Sequence, residues 1–218
     1  RVADCVAAMR ARVSVPVTVK TRIGVDDRDS YAALAGFVQL LADAGIERLI
    51  VHARKAWLRG LSPRQNREIP PLRYDRVYRL KRDFPDLSVH INGGITTLAE
   101  VAQHLRQVDG VMIGRAAQGR PWIFREIEHY LATGKLLPEP GVEETRTIMI
   151  GHLENLYSFY GDYTGVRVAR KHIGWYSKGH RDGAAFRQRV NRVESIDAQL
   201  RMTHEFFDRL SARQEIAA

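Results

Sequence analysis

Two glycine-bearing turns follow apolar runs in this chain: Asn92-Gly93-Gly94 after Ser88-Val89-His90-Ile91, and Gly114-Arg115 after Gly110-Val111-Met112-Ile113. Missing side chains let an anion approach main-chain N–H groups, a helix N-terminus beyond the turn adds positive potential, and Arg115 adds a charge-assisted fork. Tight turns favour glycine in any case, but two in succession, one with an arginine attached, point to a phosphorylated ligand, as in the cup after strands seven and eight of (β/α)8 barrels. Two further runs end in titratable groups: Val17-Thr18-Val19-Lys20 with Arg22 beyond, and Leu49-Ile50-Val51-His52 with Arg54 beyond. An ammonium directed at a core needs an anionic partner, or else reaches solvent from a barrel rim. Beside a reduced flavin, a lysine stabilises negative charge at N1 and C2=O. A lone strand-end histidine is more often merely satisfied within the fold, but beside Lys20 and the glycine turns His52 is expected to hydrogen-bond the same ring or its phosphate side. His90 and His104 lack such company and are read as structural or surface residues. Neither a metal-binding constellation nor a Ser/His/Asp arrangement occurs, so no metal is expected.

Positioning these groups requires strands that end on one side of a sheet. Lys20 closes the first strand. A helix over about 30–43 follows, with Leu34, Phe37, Val38 and Leu41 on one face and Gly45 to end it. The second strand spans about 48–52, and a polar loop then reaches Pro71, long enough to be a lid or binding loop. A helix over 74–83 leads to the third strand. Thr97 and Glu100 stand in capping-box spacing at the start of the next helix, and Pro121 suits the first turn of the one after the fourth strand. Strand and helix alternating at this pitch imply parallel pairing, with both sheet faces covered. A doubly wound sheet is disfavoured, because no G-x-G-x-x-G follows any strand. The expected class is α/β: the C-terminal half of a (β/α)8 barrel, strands five to eight, over residues 1–133. At Gly134 the composition turns to that of a linker. Helices over about 142–159, 165–178 and 184–210 are expected beyond it, making 134–218 a small all-helical domain.

Length agrees with a partial barrel: the chain has 218 residues, against about 250 for a complete one. It opens on an apparent helix with Val2, Val6 and Met9 on one face and no strand before it, so it reads as the C-terminal part of a longer protein. The single cysteine, Cys5, is expected to be a buried structural thiol. Neither a signal peptide nor an apolar run of membrane-spanning length occurs, which implies a soluble, cytoplasmic protein without membrane contact. Net charge is +9 with a pI near 10.0, which suits a polyanionic partner. The excess is local. Ten Lys/Arg face two acids, Glu68 and Asp75, between Arg54 and Arg82, and eight face Asp162 and Asp182 between Gly161 and Arg192. Aromatic residues such as Trp57, Tyr78, Trp175 and Phe186 are interleaved, as for phosphate forks and base stacking. Solvated helix faces over core aromatics would give the same composition.

At these residues the chain resembles the tRNA-dihydrouridine synthases. The matching stretches are 17–24 (Val-Thr-Val-Lys-Thr-Arg-Ile-Gly), 50–54 (Ile-Val-His-Ala-Arg), 91–95 (Ile-Asn-Gly-Gly-Ile) and 109–115 (Asp-Gly-Val-Met-Ile-Gly-Arg). Up to about Asp109, with His52-Ala53-Arg54-Lys55-Ala56-Trp57-Leu58 and Asn66-Arg67-Glu68-Ile69-Pro70-Pro71-Leu72, it is similar to the A subfamily. Later stretches, including Gly114-Arg115-Ala116-Ala117-Gln118-Gly119-Arg120-Pro121-Trp122 and Ala169-Arg170-Lys171-His172, are similar to the B subfamily. The resemblance implies FMN as cofactor, held by Lys20, His52, Asn92, Gly93, Gly94, Gly114 and Arg115. NADPH would be the reductant, and a flipped-out D-loop uridine of tRNA the substrate. Arg22 and Arg54 would face the uracil, Arg64 and Arg67 the tRNA from the loop, and Arg170, Lys171 and Arg187 its backbone. The family's proton-donating cysteine lies in a Gly-Cys-Pro motif that is absent here, and Cys5, between Asp4 and Val6, does not match it. The chain alone is therefore expected to be inactive and to self-associate through an open sheet edge. Two rival readings are a non-catalytic RNA-binding protein and a barrel enzyme acting on a sugar phosphate.

Overall fold

The computed structural model describes residues 1–217, with side chains described through Arg213. The chain divides into two compact units between Arg115 and Ala116. The first carries α1 (Val2–Arg10), β1 (Val19–Arg22), α2 (Tyr31–Asp43), β2 (Arg48–His52), α3 (Tyr74–Asp83), β3 (Ser88–Asn92), α4 (Leu98–Leu105) and β4 (Gly110–Met112). Its four strands form one parallel sheet in the order β1-β2-β3-β4, so the unit is α/β. Local chemistry sets the helix ends. The Ser30 hydroxyl accepts the Ala33 N–H at 3.1 Å, and Thr97 with Glu100 completes a capping box at α4. Gly45, at φ +85°, ends α2, with its N–H bonded to Ala42 and that of Ile46 to Leu41.

The pleat divides the sheet into two unlike faces. Leu49, Val51, Val89 and Ile91 are fully buried on the side where α3 packs on β3 and α4 on β4. Each such side chain contributes about 2 kcal/mol on burial. The alternate positions carry Lys20, Arg22, Ile50, His52, Ser88, His90 and Asn92, most of them only half-buried. Apolar cover on both faces, expected from the strand composition, therefore holds on one face only. Lys20 is also not a strand terminus. Pairing starts at Val19↔Leu49 and runs to Arg22↔His52, so Lys20 sits inside the strand and Arg22 ends it. Cys5 departs from expectation as well, being exposed. Only Val6 of α1 is buried, while Val2 and Met9 are about half exposed, so the buried stripe is too narrow to reach a residue one helical step (~100°) away.

The second unit holds α5 (Ile123–Thr133), α6 (Val142–Tyr176), α7 (Gly183–Val190) and α8 (Ile196–Ala217). Pro121 precedes the N-cap Trp122 instead of opening the first turn, and Gly134 ends α5 at φ +70°. The two helices expected over 142–159 and 165–178 are both present within α6: they part at Gly161, whose φ of 71° and ψ of 176° suit glycine alone, and fold back on each other so that His152 Nδ1 lies 3.3 Å from the Tyr176 hydroxyl. The single helix expected over 184–210 is two, parted at 191–195, because the Ser195 side chain accepts the Ala198 N–H at 3.3 Å and starts α8 afresh. Leu153, Val166, Ile173, Val190 and Phe207 fill the core, and Phe186 stacks on Phe206 at 4.2 Å between centroids. The buried Tyr157 hydroxyl donates to Gln199 Oε1 at 2.7 Å, and Gln199 Nε2 donates to the Val166 carbonyl at 3.2 Å. This one polar chain inside the core is thereby satisfied.

Candidate cofactor and anion site

Parallel register aligns the strand ends in a row, Arg22↔His52↔Asn92↔Met112. Lys20 lies on the same face one row lower, level with Ile50, His90 and Gly110. The Asn92 amide donates across to the Met112 carbonyl at 2.7 Å, fixing the last two strand ends together. Gly93 and Gly94 follow at φ +119° and +73°. A Cβ at Gly93 would stand 2.5 Å from His52 Cδ2 and 3.0 Å from Leu72, and one at Gly94 would stand 2.6 Å from Leu72. The Tyr74 hydroxyl holds the Gly93 carbonyl at 2.7 Å. Backbone conformation and close packing thus both require glycine there. Gly114 differs, since nothing lies within 4 Å of its missing Cβ. Its glycine leaves open space beyond the half-buried end of β4.

Cations crowd this row. The His52 pKa is pushed down to about 4 by burial first, then by Arg22, Lys20, Arg54 and Arg115, so the imidazole is neutral near pH 7. Burial and then Arg22 lower Lys20. Burial, Arg67 and Arg54 lower Arg22. Arg54 is lowered by burial and by Arg115, against the opposing pull of Tyr74 and Glu68. These mutual shifts mark a place where an added anion is favourable. The open Gly114 turn, the Gly93-Gly94 backbone and this donor set fit a phosphate dianion.

The loop over residues 53–73 is tied down by the same cations. Arg22 Nη1 donates to the carbonyls of Lys55 and Asn66, both at 2.8 Å. Arg54 Nη1 donates to the Glu68 carbonyl at 3.2 Å and to that of Pro70. Arg22 and Arg54, expected to face a uracil, each commit Nη1 to loop backbone, and Arg54 Nε is buried without a partner. Asn66 braces the loop from within, accepting the Trp57 N–H at 2.8 Å and donating to the Trp57 carbonyl at 2.7 Å. Lys55 pairs with Asp29 at 3.2 Å and lies 4.0 Å over the Trp57 ring. Arg115 Nη1 reaches Glu68 Oε1 at 3.2 Å, and Arg64 Nε reaches the same oxygen at 3.6 Å. Arg64 and Arg67 are exposed.

In the second unit, Arg170 donates to the Val193 carbonyl at 3.0 Å and Arg187 to that of Ser177 at 3.0 Å, both half-buried. Each fastens a helix end. Lys171 is exposed, 5.5 Å over the Trp175 ring. His90 sits on the polar sheet face with Nε2 3.2 Å from the Ser88 hydroxyl, and buried His104 has Nδ1 2.7 Å from the Tyr78 hydroxyl. From sequence alone, no individual role falls to Glu68, Asn66 or Tyr74, although Asn66 and Glu68 lie in a matching stretch. The signal for Glu68 was there: it is one of only two acids among ten bases between Arg54 and Arg82. Among the described residues no group of three His, Cys, Asp or Glu is placed to hold a metal, and no helix is long and apolar enough to cross a membrane.

A family model described as "Dihydrouridine synthase (Dus)" matches residues 1–211. A tRNA-dihydrouridine(20/20a) synthase of Salmonella typhi is 61% identical over 197 residues, covering 84% of this chain and 59% of that protein. One of Pasteurella multocida (strain Pm70) is 46% identical over 196 residues, with coverage of 84% and 59%. A tRNA-dihydrouridine synthase B of Xanthomonas campestris pv. campestris is 45% identical over 214 residues, covering 97% of this chain and 61% of the relative. The chain thus spans about three fifths of the length of these relatives, which carry two different synthase names, as the two sets of motifs imply.

Proposed function

Because the chain belongs to the dihydrouridine synthase family, we propose that its strand ends hold FMN and serve the NADPH-driven reduction of a D-loop uridine in tRNA to 5,6-dihydrouridine. The observation that carries this reading is the row of strand ends itself: neutral His52 and four cations around it, beside a glycine turn that admits no side chain. In the proposal, Gly93, Gly94 and Gly114 offer backbone N–H groups and Arg115 its guanidinium to the phosphate. Lys20, His52 and Asn92 serve the ring. FMN, when bound, supplies the hydride chemistry. Lys20 would hold positive charge against the ring, and neutral His52 can act as hydrogen-bond donor or acceptor there without adding a further charge.

Reducing the 5,6 double bond also takes a proton. Cys5 is exposed on α1, so we assign the proton donor to a Gly-Cys-Pro segment, which this sequence lacks. Arg22 and Arg54 would act through the loop they hold, shaping the cover over an extruded base, whose flipping costs a few kcal/mol and least where the base is unpaired. Arg64, Arg67 and Lys171 would bind phosphodiesters, with Arg170 and Arg187 keeping the helix ends behind Lys171 in place. The proposal takes residues 1–133 as half of a flavin-binding barrel and 134–218 as a helical tRNA-binding domain. The edge strands β1 and β4 offer unpaired ladder groups that favour self-association of the chain alone.

The test is to incubate a full-length protein carrying this sequence with tRNA lacking dihydrouridine, FMN and NADPH, and to digest the tRNA and measure dihydrouridine by mass spectrometry. The proposal expects D-loop dihydrouridine that depends on both FMN and NADPH. Tight tRNA binding with no flavin retained would leave an RNA-binding protein in its place.

A further inference from the structure

Glu68 stands alone among the cations of the strand ends. Its Oε1 takes Arg115 at 3.2 Å and Arg64 at 3.6 Å, and its backbone carbonyl takes Arg54 at 3.2 Å. The neighbouring Arg67 carbonyl accepts Arg115 Nη2 at 3.5 Å. Arg115 follows β4, whereas Arg64, Arg67 and Glu68 belong to the loop after β2, so one carboxylate joins the turn with the open glycine to the loop. Its bond partner on that turn is the side chain best suited to a phosphate. Both members are roughly half exposed, 55% for the Arg115 side chain and 45% for that of Glu68, so the pair is weak and exchangeable.

We propose that Glu68 is a positioning residue that occupies the phosphate's place on Arg115, so that a phosphate monoester entering the cup displaces it and unlatches the loop. The inference rests on the phosphate cup of the functional reading. Displacement frees more than Glu68. The Arg67 carbonyl loses the Arg115 guanidinium at the same time, so a filled cup releases from the β4 turn the loop segment that carries the exposed Arg64 and Arg67. The loop stays anchored by Arg22 at Lys55 and Asn66. The movement is therefore confined to the segment around Arg64–Glu68.

The test compares wild type with Glu68→Gln, which keeps shape and removes charge, using FMN and its phosphate-free counterpart riboflavin as titrants. FMN should bind two- to fivefold tighter to Glu68→Gln, the fold-change of an exposed ion pair released, with riboflavin unchanged. Trypsin should cut after Arg64 and Arg67 faster when FMN or inorganic phosphate is added to wild type, and equally fast with or without them in Glu68→Gln. Weaker or unchanged FMN binding in the variant overturns the exchange, as does an equal gain for riboflavin. Wild type that binds FMN and riboflavin alike would remove the phosphate cup itself. Cleavage that is unmoved by Glu68→Gln would remove the latch even with the cup intact.

Discussion

Acid should weaken this protein through His52 in a way that one substitution removes. The His52 pKa lies near 4 in the folded chain against an ordinary 6.5, so below pH 6.5 the unfolded chain binds the proton and the folded chain resists it. Stability from the neutral imidazole is complete above pH 6.5 and is lost progressively as the pH falls toward 4. At about 1.36 kcal/mol per pH unit, a gap of about 2.5 units sets a ceiling of about 3.4 kcal/mol. Solvent reaches the half-buried ring, so about 2 kcal/mol is the expected effect. His52→Gln keeps a neutral polar group against Gly93 and removes the titration. In urea unfolding at pH 7.5 and pH 4, wild type should lose about 2 kcal/mol more than the variant, and the carboxylates common to both cancel in that difference. An imidazole resonance titrating at 6.5 or above, or parallel losses in the two proteins, would refute the reasoning.

The two turn glycines should separate fold from binding. Gly93→Ala, forced to φ +119° with its Cβ 2.5 Å from His52, should cost about 1–3 kcal/mol in urea unfolding. Gly114→Ala, with nothing within 4 Å, should stay within about 0.5 kcal/mol of wild type while weakening FMN in a fluorescence titration. Tyr157→Phe leaves the buried Gln199 oxygen without its donor and should cost about 1–2 kcal/mol, measured by the same unfolding assay. Arg67→Gln should reduce the slope of log affinity for tRNA against log salt by about 1, and an unchanged slope would remove Arg67 from the RNA surface.

Much of the first unit was legible because its elements are specified locally. α3 spans Tyr74–Asp83 and β2 spans Arg48–His52, the spans expected from the sequence. Lys20 was misplaced by one turn of the pleat because ladder pairing, which begins at Val19, is a tertiary fact that an apolar run starting at Val17 does not carry. The break at 191–195 was hidden for a related reason: Ser195 is an ordinary surface residue unless its hydroxyl is seen to cap α8. Arginine roles were the least legible. A guanidinium suits a phosphate and a row of carbonyls equally well, so Arg22 and Arg54 could not be told from Arg64 and Arg67 until the loop backbone was placed. Cys5 failed differently, since helical spacing located its stripe without the width of the surface that covers it.

The account stands on the claim that the glycine turns and Arg115 receive a phosphate. Its most direct measurement is the ratio of riboflavin to FMN dissociation constants, taken by flavin fluorescence on the full-length protein and on Arg115→Ala. Wild type should prefer FMN. Arg115→Ala should lose about 2 kcal/mol of FMN affinity, the strength of a charge-assisted bond, and keep its riboflavin affinity. Equal FMN affinity in the two proteins, or an equal loss for both flavins, would contradict the claim.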